Sequence, residues 1–79
     1  MEFDKDKIDE YTLALLYLVT WERKEGYGAR VWKGFDWETM NRLHDKGLIS
    51  DPKSKAKSVV MNEDGYKKAE EIFKKHFMK

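Results

Sequence analysis

The thirty residues Met40–Ala69, MNRLHDKGLISDPKSKAKSVVMNEDGYKKA, decide the fold. Trp37, Met40, Leu43 and His44 recur at helical spacing, which predicts a helix over Trp37–Lys46. Gly47 follows where a left-handed residue ends a helix, and Leu48 is placed to fold back on Leu43. Two short β-prone runs come next, Leu48–Ser50 and Ser58–Met61. They flank a polar stretch with Pro52 and alternating lysines, the pattern of a hairpin with a long tip. Val59 and Met61 then share one face of the strand and Val60 takes the other. Asn62 opens a further helix over Glu63–Phe77. Tyr66, Ala69, Phe73, His76 and Phe77 line its inner side, and Glu70–Lys74 and Glu71–Lys75 pair along the outside.

Working outward, the same helix-opening device appears three times. Phe3-Asp4 precedes Ile8, Phe35-Asp36 precedes Met40, and Met61-Asn62 precedes Tyr66. In each, Asp or Asn can cap free backbone N–H groups, and the flanking apolar pair can close over the cap. The first helix is expected over Lys5–Lys24, ended by Gly26. Ile8, Tyr11, Leu15, Leu18 and Val19 mark its core face. Tyr11, Leu13, Leu16, Tyr17 and Trp21 carry apolar surface around much of the rest. A helix apolar nearly all round needs cover on more than one side, so these five residues are the expected interface of a homodimer. Residues 27–33 read as a short strand or, nearly as well, a single helical turn.

The chain has 79 residues with 16 basic and 15 acidic side chains. That size fits one domain, residues 1–79, with a marginal core. Cysteine is absent, which removes disulfides and thiolate metal sites and suits a reducing, cytoplasmic setting. No run approaches the roughly 20 apolar residues of a membrane span, and no targeting segment is visible. The expected core is Leu15, Leu18, Val19, Met40, Leu43, Leu48, Val59, Met61 and Phe73, with Trp37.

From Leu43, Gly47-Leu48-Ile49, Val59-Val60-Met61 and Glu63-Asp64-Gly65, the second half of the chain resembles a winged helix-turn-helix domain of the multiple-antibiotic-resistance-regulator type. The resemblance implies an α+β fold: helix, short strand or turn, helix, β-hairpin wing, helix. It also implies double-stranded DNA as partner and a transcription-regulator-like role. One part of that pattern is absent, because Gly26–Phe35 leaves only ten residues where the family has a positioning helix and its turn. With Trp32-Lys33-Gly34-Phe35-Asp36-Trp37 and Arg42-Leu43-His44, the whole chain is similar to a small bacterial family of unknown function.

The functional candidates are basic. Lys53, Lys55 and Lys57 alternate along the hairpin tip, and Arg30, Lys33, Arg42 and Lys46 are expected near them. Asn41 and Arg42 are suited to reading base edges. Residues 30–57 hold seven basic and four acidic side chains, whereas residues 1–10 hold two and five. Such asymmetry can steer one face toward phosphate. Against it, Glu38 and Asp45 share the outer side of the second helix, and lysines at a loop tip also serve simply to keep a sheet edge soluble. Trp21, Trp32 and Trp37 are candidates for a base-stacking platform, although indoles are more often core or interface anchors. His44 and His76 lack the spacing of a metal site. No triad and no phosphate-binding glycine motif is present. The expectation is a non-enzymatic module without cofactor, metal or small-molecule substrate. It binds nucleic acid or, as the alternative, serves as a protein-interaction or structural module.

Overall fold

All three caps form. In the computed structural model, which describes residues 1–79, the Asp4 carboxylate accepts the Lys7 N–H, Asp36 accepts the Thr39 N–H, and the Asn62 side chain accepts the Gly65 N–H. They open helices α1 (Lys5–Leu18), α2 (Trp37–Asp45) and α3 (Glu63–Phe77). Three antiparallel strands, β1 (Thr20–Lys24), β2 (Gly28–Trp32) and β3 (Ser58–Met61), form one sheet in the order β1-β2-β3. The fold is α+β.

α1 stops six residues before its expected end at Lys24. Val19 and Thr20 are β-branched and Trp21 is aromatic, types that favour extended backbone. The Val19 N–H returns to the Leu16 carbonyl, and the Thr20 hydroxyl donates to the same oxygen at 3.1 Å. The chain then runs out as β1. Gly26 does take a left-handed conformation, φ +87°, but in the turn between β1 and β2 rather than at a helix end. Residues 28–32 are therefore strand, the first of the two readings left open by the sequence.

The turn after α2 forms as the sequence predicts. Gly47 has φ +75°, its N–H reaches the His44 carbonyl, and the Leu48 N–H reaches that of Leu43. The expected hairpin between Leu48–Ser50 and Ser58–Met61 is reduced to a bridge, Ile49 opposite Met61, with Ser50 and Val60 exchanging two hydrogen bonds. β3 pairs mainly with β2, from Ala29–Met61 to Trp32–Ser58.

The inner face of the sheet, Ala29, Val31, Val59 and Met61, closes on Leu13, Leu16, Met40, Leu43, Ala69 and Ile72. Met40, Leu43, Val59 and Met61 are buried as expected, and Val19, Leu48 and Phe73 pack half-buried against them. Three core assignments are corrected. Leu15, Leu18 and Trp37 are 36, 66 and 55 % exposed, whereas Leu13 and Leu16 are 1 and 0 % exposed. α1 is thus turned about its axis relative to the expected phase. Burying Leu13 and Leu16 contributes about 1.5–3 kcal/mol each.

The same rotation changes the surroundings of the five residues expected at a dimer interface. Leu13 and Leu16 lie inside the chain. The Tyr17 ring packs on Tyr66 and Phe73 with its hydroxyl on Glu70, and Tyr11 packs on His76 and Phe77. α3 supplies the cover that the sequence assigned to a second chain. Trp21 lies outside the helix altogether, in β1.

Candidate nucleic-acid interface

The basic residues singled out by the sequence fall into two groups. The first faces α1. Arg42 on α2 and Lys46, the residue that caps its C-terminal end, both reach Asp9, whose side chain is 2 % exposed. Arg42 Nε lies 2.9 and 3.0 Å from the two carboxylate oxygens, Arg42 Nη2 2.8 Å from one of them, and Lys46 Nζ 2.9 Å from the other. Burial pushes the Asp9 carboxyl up, but the hydrogen bonds from Arg42 and Lys46 outweigh it and hold the group below its ordinary value. Arg42 also donates to the Thr39 hydroxyl, which donates to Asp36, and Lys46 reaches Asp6 at 3.2 Å. Both cations are thus held by a buried carboxylate, Arg42 at 25 % and Lys46 at 42 % exposure. Asn41 sits half-buried on the same helix.

The second group surrounds one end of the sheet. Lys33 donates to the carbonyls of Pro52 and Ser54 at 2.8 and 2.6 Å, which ties down the root of the 51–57 loop. Lys53, Lys55 and Lys57 are exposed and form no ion pair. The Lys33 N–H bonds the Lys57 carbonyl, one step beyond the Trp32–Ser58 pair. The loop lysines therefore leave from the Trp32 end of β2.

The sheet's outer face carries what the sequence did not resolve. Thr20 pairs with Val31 and Glu22 with Arg30, so Trp21 is one residue too many: a β-bulge. A bulge re-aims a side chain, and here Trp21 lands on Trp32, with ring centroids 5.3 Å apart and planes 25° apart. Both indoles are 48 % exposed. The Arg30 guanidinium lies 5.9 Å from the Trp21 ring and 3.8 Å from Glu22. Beside them a shallow cleft of about 150 Å³ runs between Glu22, Lys24, Tyr27, Arg30 and Val60. Of the three tryptophans considered as a platform, two meet. Trp37 stands alone at the start of α2. The available signal for the pairing was the Glu25–Tyr27 turn, with Glu22 and Arg30 facing each other across it.

The other titratable features are structural. Arg23 makes a bidentate pair with Glu63 at 2.7 and 3.0 Å and lies 4.0 Å above the Tyr66 ring, joining β1 to α3. His44 Nδ1 is 3.0 Å from the Ile49 carbonyl, and the His76 ring centroid is 5.0 Å from that of Tyr11. No group of three or more His, Asp or Glu is placed to hold a metal. A larger cleft, about 370 Å³, has a floor of Leu13, Leu43, Leu48 and Ile72 and a rim that mixes Asp6, Glu10 and Glu71 with Lys46 and Lys68. Its acids make it a poor seat for phosphate. No helix is long and apolar enough to cross a membrane.

The chain is similar in sequence to the "Uncharacterized protein y4hR" of Sinorhizobium fredii (strain NBRC 101917 / NGR234), at 47% identity over 77 residues, 98% of this chain and 97% of that one. No solved structure matches it. A family described as "Domain of unknown function (DUF6429)" matches residues 4–79, a span that includes all three helix caps, the bulge and the lysine loop. The chain belongs to that family, the domain of unknown function DUF6429.

Proposed function

We propose that this chain is a small non-enzymatic nucleic-acid-binding module of winged-helix-like layout. In this reading the contact surface is the outer sheet face and the lysine loop, and α2 does not act as a recognition helix. The observation that carries it is the bulge that sets Trp21 on Trp32 in solvent, beside Arg30 and at the end of the sheet from which the lysine loop leaves. Exposed indoles next to cations, Arg30 loosely paired with Glu22 and the loop lysines without an ion pair, are the two components of a single-strand site, one stacking bases and the other following phosphates. A single strand is favoured over a duplex because the bases must be unstacked to reach the indoles. α2 also lacks free cations, since Arg42 and Lys46 answer Asp9. The order β2, α2, the Ile49 bridge, β3, α3 follows a winged helix from which the positioning helix is missing.

Arg30, Lys53, Lys55 and Lys57 together would neutralise about 3–4 phosphates, for a log–log salt slope near −2 to −3 with single strands. A stacked base adds about 1–3 kcal/mol. The test is quenching of tryptophan fluorescence by a single-stranded oligonucleotide and by its duplex, across a salt series. Trp32→Ala should weaken single-strand binding about tenfold or more, and alanines at Lys53, Lys55 and Lys57 should flatten the salt slope. Binding that is absent at low salt would hand the exposed indoles to the protein-interaction reading. Tight duplex binding indifferent to Trp32→Ala would return the contact to α2.

A further inference from the structure

With α1 turned inward on Asp9, Leu13, Leu16 and Tyr17, its opposite side is only partly covered within the chain: Tyr11 rests on His76 and Phe77 of α3, and Leu15 and Leu18 stay exposed. That side carries Ile8, Tyr11, Leu15 and Leu18, at spacings of three, four and three residues. Core-facing helices of a small domain seldom present that pattern to solvent, whereas it is the seam of a two-helix coiled coil. Leu18 is 66 % and Leu15 36 % exposed, and Phe3, Phe77 and Met78, at 55, 45 and 62 %, add to the exposed apolar surface at the chain ends. Phe3, Asp4, Lys7, Ile8, Tyr11 and Leu15 border a groove of about 360 Å³ along the stripe. We propose that this face is the homodimer interface, closed by antiparallel pairing of α1 with α1 of a second copy.

Three features select a second copy as the occupant. The stripe is self-complementary. About a two-fold axis near Leu13, Ile8 meets the partner's Leu18 and Tyr11 meets the partner's Leu15, so the partner's Leu18 enters the groove beside Phe3 and Ile8. An interface in which residue i meets j and j meets i is the commonest form of closed association. The charges agree with the antiparallel sense. Lys5 and Lys7 flank the stripe at the start of α1, and the last turn of α1 contains no basic residue. Antiparallel pairing brings these lysines to the negative end of the partner helix, whereas parallel pairing would set them against their own copies. The exposed apolar area is of the order such an interface needs. At roughly 200 Å² for a large side chain, the exposed parts of Phe3, Leu15, Leu18, Phe77 and Met78 supply about 500 Å². The half-buried Ile8 and Tyr11 and the stems of Lys5 and Lys7 extend this toward the ~800 Å² per partner of a stable complex. This interface lies on the helix and does not rest on the nucleic-acid reading of the sheet.

The test is sedimentation of the full chain up to about 100 μM, within the range where a micromolar dimer is populated. The expected species is twice the 9.5 kDa chain mass. Leu18→Asp, at an exposed position, should keep the wild-type circular dichroism and weaken the dimer at least tenfold. Orientation is read by oxidative cross-linking, since the chain has no cysteine of its own. Ile8→Cys and Leu18→Cys should link to each other when the two variants are mixed, and link poorly when each is alone. A monomer throughout the concentration range overturns the proposal. So does a dimer indifferent to Leu18→Asp, and efficient self-linking of either cysteine variant overturns the antiparallel arrangement.

Discussion

Arg42→Met isolates the question of what the basic residues of α2 are for. Methionine keeps most of the apolar stem and deletes the guanidinium, leaving Asp9 with Lys46 as its one remaining cation. Breaking a fully buried ion pair from one side costs about 3–5 kcal/mol. Here Lys46 stays 2.9 Å from the carboxylate and Arg42 is 25 % exposed, which brings the expected loss to about 2–3 kcal/mol. For a domain of this size that lowers Tm by about 10–20 °C. The loss should also depend on pH. Asp9 has its carboxyl held below the ordinary value in the folded chain. The stabilisation is therefore complete above the unfolded value of about 3.9 and fades as pH falls through the lower folded one. Wild type and variant should converge in stability only at pH below that lowered folded value, where the carboxyl becomes neutral in both. Urea unfolding followed by circular dichroism from neutral to strongly acid pH measures this. A loss under about 0.5 kcal/mol, or one that does not change with pH, would refute the argument that Arg42 serves Asp9. Nucleic-acid binding by the folded variant should keep the wild-type salt slope.

The backbone makes two further predictions that thermal melts can check. Gly47→Ala meets open space but keeps a left-handed residue, so it should cost about 1 kcal/mol. Gly28→Ala adds to its positive φ a Cβ driven into the Met61 carbonyl and should cost clearly more, with the loss of the β2–β3 ladder in hydrogen exchange. Asn62→Ala removes the cap of α3 and the side-chain bond to the Gly47 carbonyl, for an expected loss of about 1–2 kcal/mol.

What the sequence revealed and what it concealed follow from the range of the interactions involved. Asp4, Asp36 and Asn62 each cap within three residues, and the turn at Gly47 closes within five, so these features are written in short windows. α2 and α3 have polar outer sides, which makes their orientation readable. α1 is apolar around most of its circumference, and no local pattern could say which side meets the core. The residue that sets its phase is Asp9, a carboxylate that ordinary burial trends place outside. Its burial makes sense only with Arg42 and Lys46, more than thirty residues away. The candidate site was legible in part for the same reason. Lys53, Lys55 and Lys57 could be read from their alternation. The meeting of Trp21 with Trp32 depends on a strand register that becomes visible only once α1 is known to end at Leu18.

The bulge at Trp21 gives the tryptophan pair an unusual genetic basis. The pair depends on the presence of one extra residue between Thr20 and Glu22, not only on the identity of a residue. Deleting the Trp21 codon would let Thr20 and Glu22 follow each other opposite Val31 and Arg30 as an unbroken ladder. The inward residues Thr20 and Arg23 would keep their places. A single three-nucleotide deletion would then remove the exposed indole stack while leaving the core intact. The exposed surface thus hangs on the length of β1 at one position, whereas the core beneath it does not.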